Sequence, residues 1–428
     1  MGVFIKKRAI SLALLSVAFL SFRGSKAQSS LQEGDTLLIC GDSITDQKMY
    51  SVYIEDYLLM TQPVKNVRAI QIGWSGENVQ HFANYWQQVG LMFHPTLATT
   101  NFGMNDGGYD LISDKTRDGF RDGTKKMIAQ FKAAGVRTVF VGTSGGVDSY
   151  YFKNPKHKDV SAISYDQTLG HLSDVAKDIA HSEKEPFVDL HTLTLNTMAA
   201  AKAALGEKFA VTGNSDGVHP QPDGHLIMAY AYLKAMGMNG NIGTITYDMA
   251  LDKAETDDAQ QIMSAGNGEI TLQSSRYPFC FFGDVGSSDG TAGILPFLPF
   301  NQDLNRYMLI VKNLKSAKAK ITWGTETKEF TREQLSAGIN LAAEFITNPF
   351  TAPFLAIDKK VKAKQDFESM FIRNYIDGEQ SVARVMPDET DALKAVLGSF
   401  GVAHEQLFED LARSVKPVVH TIRIREEN

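Results

Sequence analysis

Cysteine is nearly absent from this chain, which has two in 428 residues. Two cysteines are too few for a disulfide framework, so a hydrophobic core must hold the fold together. Cys40 lies in an apolar run and Cys280 in the second half of the chain. We read both as buried small apolar residues, with a single bridge between them as the alternative.

An excess of basic charge is also missing. The chain has 43 Lys and Arg against 49 Asp and Glu, which gives a formal net charge of −6 and a pI near 6.0. Nucleic-acid-binding domains carry a basic surface that attracts phosphate. We therefore expect no nucleic acid among the partners.

Long apolar runs are absent beyond the first stretch of the chain. Lys6, Lys7 and Arg8 precede an apolar segment at 9–22, and small residues follow at 25–27. The segment is too short to span a bilayer, and the pattern is typical of a signal peptide. We expect cleavage after Ala27, export to the periplasm or the medium, and no membrane span in the mature protein.

The rest of the chain has no repeat and no low-complexity tract, and it is longer than one core usually fills. From 36 to about 240, strand-like runs alternate with amphipathic stretches, which predicts an α/β domain with a mostly parallel five-stranded sheet between two helical layers. The predicted strands are 37–40, 67–72, 97–101, 138–142 and 187–189. The predicted helices are 49–60, 78–90, 117–134, 164–182, 191–205 and 221–236.

The alternation of strand-like and helix-like stretches ends at the glycine-rich link 237–243, so we divide the mature chain into domains 28–243 and 244–428. The second is predicted to be a smaller α+β domain, β-rich over 244–345, helical over 346–415 and closed by a strand at 417–424. A hairpin is predicted between 307–311 and 320–323. Because the link is short and the last strand is apolar, we expect the two domains to share a buried interface.

Polar or glycine-rich stretches follow three of the predicted strands and recur before the last helix of the α/β half. They contain Ser43, Gly76, Asn105, Asp216 and His219. The carboxyl ends of parallel strands meet at one crevice, so these groups are expected to converge there. Together they provide the groups that a serine hydrolase needs.

Each group has a defined chemical task. His219 is the candidate base for the Ser43 hydroxyl, and Asp216 is close enough in sequence to accept from the other imidazole nitrogen. The backbone amides of Ser43 and Gly76 and the side-chain amide of Asn105 can stabilise an oxyanion.

These stretches resemble the four sequence blocks of the SGNH, or GDSL, hydrolases. The blocks are Gly41-Asp42-Ser43, Gly76, Gly103-Met104-Asn105 and Asp216-Gly217-Val218-His219, in this order. The resemblance covers roughly residues 36–236 and implies a flavodoxin-like sheet. It also implies Ser43 as nucleophile, Asp216 and His219 as its partners, and Ser43, Gly76 and Asn105 as the oxyanion hole.

Other polar residues receive structural interpretations. Asp42 and Asp46 are expected to hold the loop around Ser43, and His225 to lie on a helix face. The remaining histidines lack metal-ligand spacing, so neither a metal nor another cofactor is expected.

Aromatic residues fall in loops near the expected crevice. Trp74, Tyr109, Tyr150 and Tyr151 could stack on sugar rings or apolar acyl chains, or could simply pack under long loops.

We predict an exported serine esterase acting through an acyl-Ser43 intermediate, with O-acetyl groups on a polysaccharide or glycoside as substrate. The alternatives are a lipase, arylesterase or thioesterase of the same family, or a carbohydrate-binding protein with a retired site. The oligomeric state is left open.

Overall fold

The computed structural model describes residues 31–257, 259–385 and 390–427, so the expected signal peptide lies outside the described residues. Within these ranges no helix is both long and apolar enough to cross a membrane. The strands of the α/β half are β1 (Thr36–Gly41), β2 (Arg68–Gln71), β3 (Leu97–Phe102), β4 (Thr138–Thr143) and β5 (Phe187–Val188). Its helices are α1 (Ser43–Asp46), α2 (Tyr50–Asp56, continued by a π-helical turn Tyr57–Thr61), α3 (Val79–Gly90), α4 (Asp114–Ala133), α5 (Ala162–Glu183), α6 (Leu190–Leu205) and α7 (Pro222–Ala235).

The five strands form one parallel sheet in the order β2-β1-β3-β4-β5. This is the flavodoxin-like order, and the predicted α/β fold is confirmed. β1 is buried along its whole length, as expected for a central strand covered on both faces. The order reverses between β1 and β3, so a crevice opens beyond the carboxyl ends of these two strands.

Helices cover both faces of the sheet. Alternate side chains of a strand point to opposite faces, and in β1 Leu37 and Ile39 pack in one core cluster while Leu38 and Cys40 pack in the other. Helices α2, α6 and α7 cover the first face, and α3 and α4 cover the second. Both Cys40 and Cys280 are buried free thiols, as expected, and no bridge joins them.

The C-terminal half contains two further sheets, with strand orders β13-β10-β6-β7 and β12-β11-β14-β9-β8. The strands are β6 (Asn241–Asp248), β7 (Lys253–Thr256), β8 (Gln260–Gly266), β9 (Glu269–Ser274), β10 (Arg306–Lys312), β11 (Lys318–Trp323), β12 (Glu326–Thr331), β13 (Ile339–Asn340) and β14 (Val418–Glu426). The helices are α8 (Phe300–Asp303), α9 (Arg332–Ala337), α10 (Leu341–Glu344), α11 (Thr351–Val385) and α12 (Thr390–Ser414).

One predicted pairing in this half is wrong. β10 pairs in parallel with β6, whereas β11 pairs with β12 and β14, so β10 and β11 do not form a hairpin. The two strands lie in different sheets because β10 needs partners from distant parts of the chain, which local turn signals do not reveal. β14 does close a sheet, between β9 and β11, within its own half.

The two halves meet where α11 runs along the open edge of β2. The Lys364 ammonium donates to the carbonyl of Ala69 (2.7 Å), and the backbone N–H of Gln71 donates to the Glu368 carboxylate (3.0 Å). These side chains satisfy backbone groups that an edge strand would otherwise leave unpaired. The expected interface between the halves is therefore present. Helix α11 forms this part of it, and Phe300 packs against Tyr57 in another part.

A buried charge network reinforces this interface. Lys364 lies 3.0 Å from Glu55 of α2 and 2.6 Å from Glu368, and Glu368 lies 2.7 Å from His404 of α12. Burial would lower the pKa of Lys364, but the carboxylates of Glu368 and Glu55 raise it above its usual value. The lysine therefore stays charged inside the protein.

Candidate active site

Ser43 is the first residue of α1, immediately beyond the carboxyl end of β1. Asp42 caps this short helix, since its carboxylate accepts from the Ile44 N–H at 2.9 Å. The approach of α1 to β1 is close, because a Cβ on Gly41 would lie 2.1 Å from the Thr45 hydroxyl oxygen. Only glycine at 41 allows the strand to turn so sharply into the helix that presents Ser43.

Ser43 is joined to His219 and Asp216 by a continuous chain of hydrogen bonds. His219 Nε2 lies 2.8 Å from Ser43 Oγ, and His219 Nδ1 lies 2.7 Å from Asp216 Oδ2. The carboxylate cannot donate, so Nδ1 carries the proton and Nε2 is free to accept from the serine. The three residues predicted as a triad thus lie together in the geometry that a triad requires.

The backbone around Asp216 keeps its carboxylate charged. Asp216 Oδ1 accepts from the N–H groups of Val218 (2.8 Å) and His219 (3.0 Å). Partial burial would raise the pKa of Asp216, but these hydrogen bonds and the His219 ring lower it below its usual value. An anionic Asp216 at neutral pH can orient His219 and stabilise its protonated form.

A second loop, residues 148–153, supports the loop that carries His219. The Asp148 N–H donates to the Gly217 carbonyl (2.8 Å), and the Lys153 N–H donates to the Asp216 carbonyl (3.1 Å). Gly217 has a φ of +72°, and a Cβ there would lie 2.4 Å from the Phe152 nitrogen. Glycine at 217 is therefore needed both for its backbone conformation and for the close contact between the loops.

Gly76 occupies a tight turn beside the crevice. The Glu77 N–H donates to the Trp74 carbonyl at 3.2 Å, and Gly76 has a φ of +81°. This is a type II turn, which favours glycine at its third position. The Ser75 hydroxyl donates to Asp46 Oδ2 at 2.5 Å, which ties the turn to the end of α1.

Asn105 follows β3 and is fixed against the same turn. Its side-chain nitrogen donates to the Glu77 carbonyl at 2.9 Å, and its amide has a second hydrogen to offer. The neighbouring Asp106 accepts from the N–H groups of Gly103 and Val79, both at 2.9 Å, so it links β3 to the start of α3. The segments carrying the three predicted oxyanion donors are thereby bonded to one another.

Asp42, Asp46 and His225 lie where they were predicted to lie. Asp42 caps α1, and its burial raises its pKa to about 7. Asp46 accepts from Ser75 and contacts Lys48. His225 is buried on α7, where its Nδ1 accepts from the Tyr50 N–H at 3.3 Å.

The aromatic residues that were predicted to bind substrate differ in exposure. Tyr150 is 51% exposed, and its ring meets that of Tyr151, whose hydroxyl donates to the Lys208 carbonyl. Trp74 is half-buried. Tyr109 is only 8% exposed and stacks on Tyr165 at 5.0 Å, so it packs under its loop. A role in substrate binding stays a prediction for all four.

Sequence reasoning missed one residue beside the crevice, Arg373 of α11. Its guanidinium pairs with Asp46 Oδ2 and lies 5.9 Å from the centre of the Trp74 ring. No sequence signal could have found it, because 327 positions separate it from Asp46. As for metals, the described part of the chain contains no group of three or more His, Cys, Asp or Glu placed to hold an ion.

Comparisons with known proteins agree with this architecture. Residues 39–227 match the model of the GDSL-like lipase/acylhydrolase family. An acetylxylan esterase of Geobacillus stearothermophilus is 25% identical over 224 residues, which cover 48% of this chain and 94% of that protein.

Solved structures give a wider view. The structure of a gut microbial diltiazem-metabolizing enzyme matches with a TM-score of 0.69 at 20% identity, covering 94% of this chain and 100% of that one. It shares the fold across both halves. A catalytic mutant of an acetylxylan esterase from Geobacillus stearothermophilus matches with a TM-score of 0.40 at 21% identity, over 49% of this chain and 96% of that one.

The family match covers the carboxyl ends of β1, β2 and β3, which precede Ser43, Gly76 and Asn105, and the loop that carries Asp216 and His219. It includes all four sequence blocks in full, from Gly41 to His219. The α/β half is therefore an SGNH/GDSL hydrolase domain, and the protein is a carboxylic ester hydrolase.

Proposed function

We propose that this protein is an exported serine esterase that acts through an acyl intermediate on Ser43 and removes O-acetyl groups from carbohydrate. One observation carries the catalytic part of the proposal, namely the unbroken hydrogen-bond chain from Ser43 through His219 to Asp216. A serine hydroxyl is a weak nucleophile unless an oriented base accepts its proton, and this chain provides both the base and its orientation.

In the first half-reaction, Ser43 Oγ attacks the carbonyl carbon of the ester while its proton passes to His219 Nε2. The imidazolium that forms is stabilised by the Asp216 carboxylate on Nδ1. The tetrahedral intermediate then collapses, the bond to the alcohol oxygen breaks, and the alcohol leaves with the proton from Nε2. The acyl group remains as an ester of Ser43.

In the second half-reaction, a water molecule attacks the acyl carbon and gives its proton to the same His219 nitrogen. Collapse of this intermediate breaks the bond to Ser43 Oγ, which recovers the proton, and the carboxylic acid is released. In both intermediates the negative oxygen is stabilised by the backbone N–H groups of Ser43 and Gly76 and by the free hydrogen of the Asn105 amide.

Three observations support the carbohydrate substrate. An acetylxylan esterase matches in sequence over 94% of its own length. The exposed ring of Tyr150 and the half-buried ring of Trp74 are suited to stacking on sugars. The expected signal peptide would bring the enzyme into contact with extracellular polysaccharide. N-terminal sequencing of the exported protein, expected to begin at Gln28, tests the last point.

A substrate panel tests the proposal directly. Acetate release is measured from acetylated xylan, acetylated xylo-oligosaccharides and sugar acetates, beside p-nitrophenyl esters of two to twelve carbons. Diltiazem is included because the enzyme that shares the whole fold metabolises it. We expect the highest kcat/KM on an acetylated glycan and a steep fall for acyl chains longer than acetyl.

Other outcomes would replace the proposal. A preference for long acyl chains would make the protein a lipase, and efficient hydrolysis of aryl esters alone would make it an arylesterase. Binding of xylan with no turnover of any ester would mean that the site is retired. Ser43→Ala serves as the blank in every assay.

A further inference from the structure

Helix α11 belongs to the C-terminal half, yet it reaches the crevice of the α/β half. Its position along β2 is fixed by the bonds of Lys364 and Glu368 to the strand backbone. Gln365, on the same stretch of α11, accepts from the Ser51 hydroxyl (2.7 Å) and donates to Glu55 (2.8 Å). These buried contacts determine both the rotation of the helix and its height on the sheet edge.

The next turns of α11 lie against the segment that carries Ser43. Residues three and four apart on a helix share a face, and Asp366, Ser369 and Arg373 follow this spacing. The first two contact Lys48, at 3.7 and 3.4 Å, and Arg373 pairs with Asp46. This face of α11 therefore points at the end of α1.

Asp46 is the centre of these contacts. Its side chain is 4% exposed, and its Oδ2 accepts from Ser75 at 2.5 Å and from Arg373. Lys48 donates to the Asp46 carbonyl at 2.7 Å. One carboxylate thus joins the last residue of α1, the turn at 74–77 and helix α11.

A second path connects α11 to α1 through the last residue of β2. The Ser369 hydroxyl donates to Gln71 Oε1 at 3.1 Å, and Gln71 Nε2 donates to the Thr45 carbonyl at 3.0 Å. Ser43 and Asp46 are the two ends of a single helical turn, so holding Asp46 and Thr45 also holds the Ser43 amide. Ser75 directly precedes Gly76, so holding its hydroxyl holds the Gly76 amide.

We propose that Arg373 is a positioning residue for the reaction at Ser43. It orients the Asp46 carboxylate, which in turn sets the separation of the Ser43 and Gly76 amides that receive the oxyanion. The inference rests on the proposed function, because it assumes that the oxyanion forms at these amides. Displacement of an oxyanion donor raises the transition-state energy more than the energy of bound ester, so kcat is the sensitive parameter.

The chain offers a matched control. Arg68 of β2 also pairs with a carboxylate of the C-terminal half, Glu405 of α12, and its guanidinium lies 4.4 Å from the centre of the Phe408 ring. Arg68 is 38% exposed and Arg373 is 47% exposed. Both arginines bridge the two halves, but Arg68 lies at the amino end of β2, away from the crevice.

The experiment compares Arg373→Ala, Arg373→Lys and Arg68→Ala with the wild type, using p-nitrophenyl acetate as substrate and phenylboronic acid as an inhibitor that forms a tetrahedral adduct. Thermal unfolding of each variant shows whether it is folded. For Arg373→Ala we expect kcat to fall about 10- to 100-fold, less than for removal of an oxyanion donor, because the amides are displaced but still present. KM should change less than about twofold, and the inhibition constant should rise by the same factor as kcat/KM falls.

The other variants distinguish positioning of the oxyanion donors from a general contribution of the arginines to the stability of the fold. Arg373→Lys keeps the charge and should recover part of the lost kcat. Arg68→Ala should keep the wild-type kcat even where its unfolding temperature falls as far as that of Arg373→Ala. Ser75→Ala should lower kcat as well, and the double variant Arg373→Ala/Ser75→Ala should lose less than the product of the two single losses, because both act through Asp46.

Several results would overturn the inference. Equal kcat for Arg373→Ala and Arg68→Ala would mean that Arg373 only supports the fold. A raised KM with unchanged kcat would mean that Arg373 binds substrate. Losses that multiply in the double variant would mean that Arg373 and Ser75 act separately. A wild-type protein that hydrolyses no ester would instead refute the proposed function, so the two failures are distinguishable.

Discussion

Two pairs of ionisable side chains, one in the α/β half and one in the C-terminal half, are placed in opposite ways. In the α/β half, Asp216 and His219 lie at the crevice, with their side chains 36% and 33% exposed. In the C-terminal half, Lys364 and Glu368 point inward from α11 and are 2% and 0% exposed. The exposed pair can meet a substrate and exchange protons, whereas the buried pair can only hold one half against the other.

Under the proposal for Arg373, catalysis in this protein depends on both arrangements. The crevice residues provide the reacting groups, but the backbone that orients them is contacted by a helix from outside the family domain. The variants below test the two arrangements separately, beginning with the residue whose loss should have the largest effect.

Ser43→Ala should abolish turnover without unfolding the protein. A hydroxyl at a strand end contributes little to packing, whereas loss of a triad nucleophile lowers kcat by about 10⁶. Steady-state hydrolysis of p-nitrophenyl acetate measures the loss, and circular dichroism checks the fold. Residual activity above about a thousandth of the wild-type rate would show that another group is the nucleophile.

Lys364→Ala should destabilise the interface of the two halves. Removing the lysine leaves Glu55 and Glu368 buried without the ammonium group that they share, which costs about 3–5 kcal/mol in the free energy of unfolding. Lys362→Ala is the control, because Lys362 pairs with Asp366 at the same spacing on the same helix but half-exposed.

Urea denaturation of both variants gives the two free energies. The exposed pair should contribute less than about 1 kcal/mol. Equal losses for Lys362→Ala and Lys364→Ala would contradict the division between exposed and buried ion pairs.

Asn105→Ala should lower kcat by about 10²–10³ with a smaller change in KM, because the amide hydrogen acts on the oxyanion rather than on the bound ester. The hydrogen bond to the Glu77 carbonyl is lost as well, so thermal unfolding must accompany the kinetics. A normal kcat with a raised KM would mean that Asn105 positions the substrate instead.

The smallest effect concerns two buried histidines, one in each half. Burial lowers the pKa of His225 to about 3 and that of His420 to about 4. An ordinary histidine in the unfolded chain has a pKa near 6.5. As the pH falls below 6.5, the unfolded chain therefore binds protons that the folded protein does not, and the free energy of unfolding decreases. Each histidine should account for a decrease of about 2 kcal/mol in the free energy of unfolding between pH 8 and pH 5.

Urea denaturation at pH 8 and pH 5 tests this pair. His225→Gln and His420→Gln should each be less stable at pH 8 but should lose less stability on acidification than the wild type. His171→Gln is the control for the substitution itself, since His171 is exposed. An unchanged pH dependence in both buried variants would show that these residues are not kept neutral by burial.

The sequence predicted the α/β half well because its signals are local. Each predicted strand end lies within a few residues of the observed one, and the residues after the strands converge because parallel strands share an edge. The C-terminal half could not be predicted in the same way. The partner of β10 is β6, about sixty positions earlier, and no local turn signal links the two.

The contacts between the two halves could not be predicted from the sequence either. Lys362–Asp366 and Lys364–Glu368 have the same spacing and the same chemistry, yet one pair is solvated and the other is buried. The difference arises only when α11 docks on β2. Tyr109 illustrates the same limit on a smaller scale, because its loop position suggested a substrate platform, whereas Tyr165 covers its ring.

The catalytic claim is tested most directly by covalent labelling with a fluorophosphonate, followed by mass spectrometry of the intact and digested protein. We expect one adduct per chain, located on Ser43, with no adduct on Ser43→Ala and slow labelling of His219→Ala. An adduct on another residue, or none on a folded wild-type protein, would contradict it.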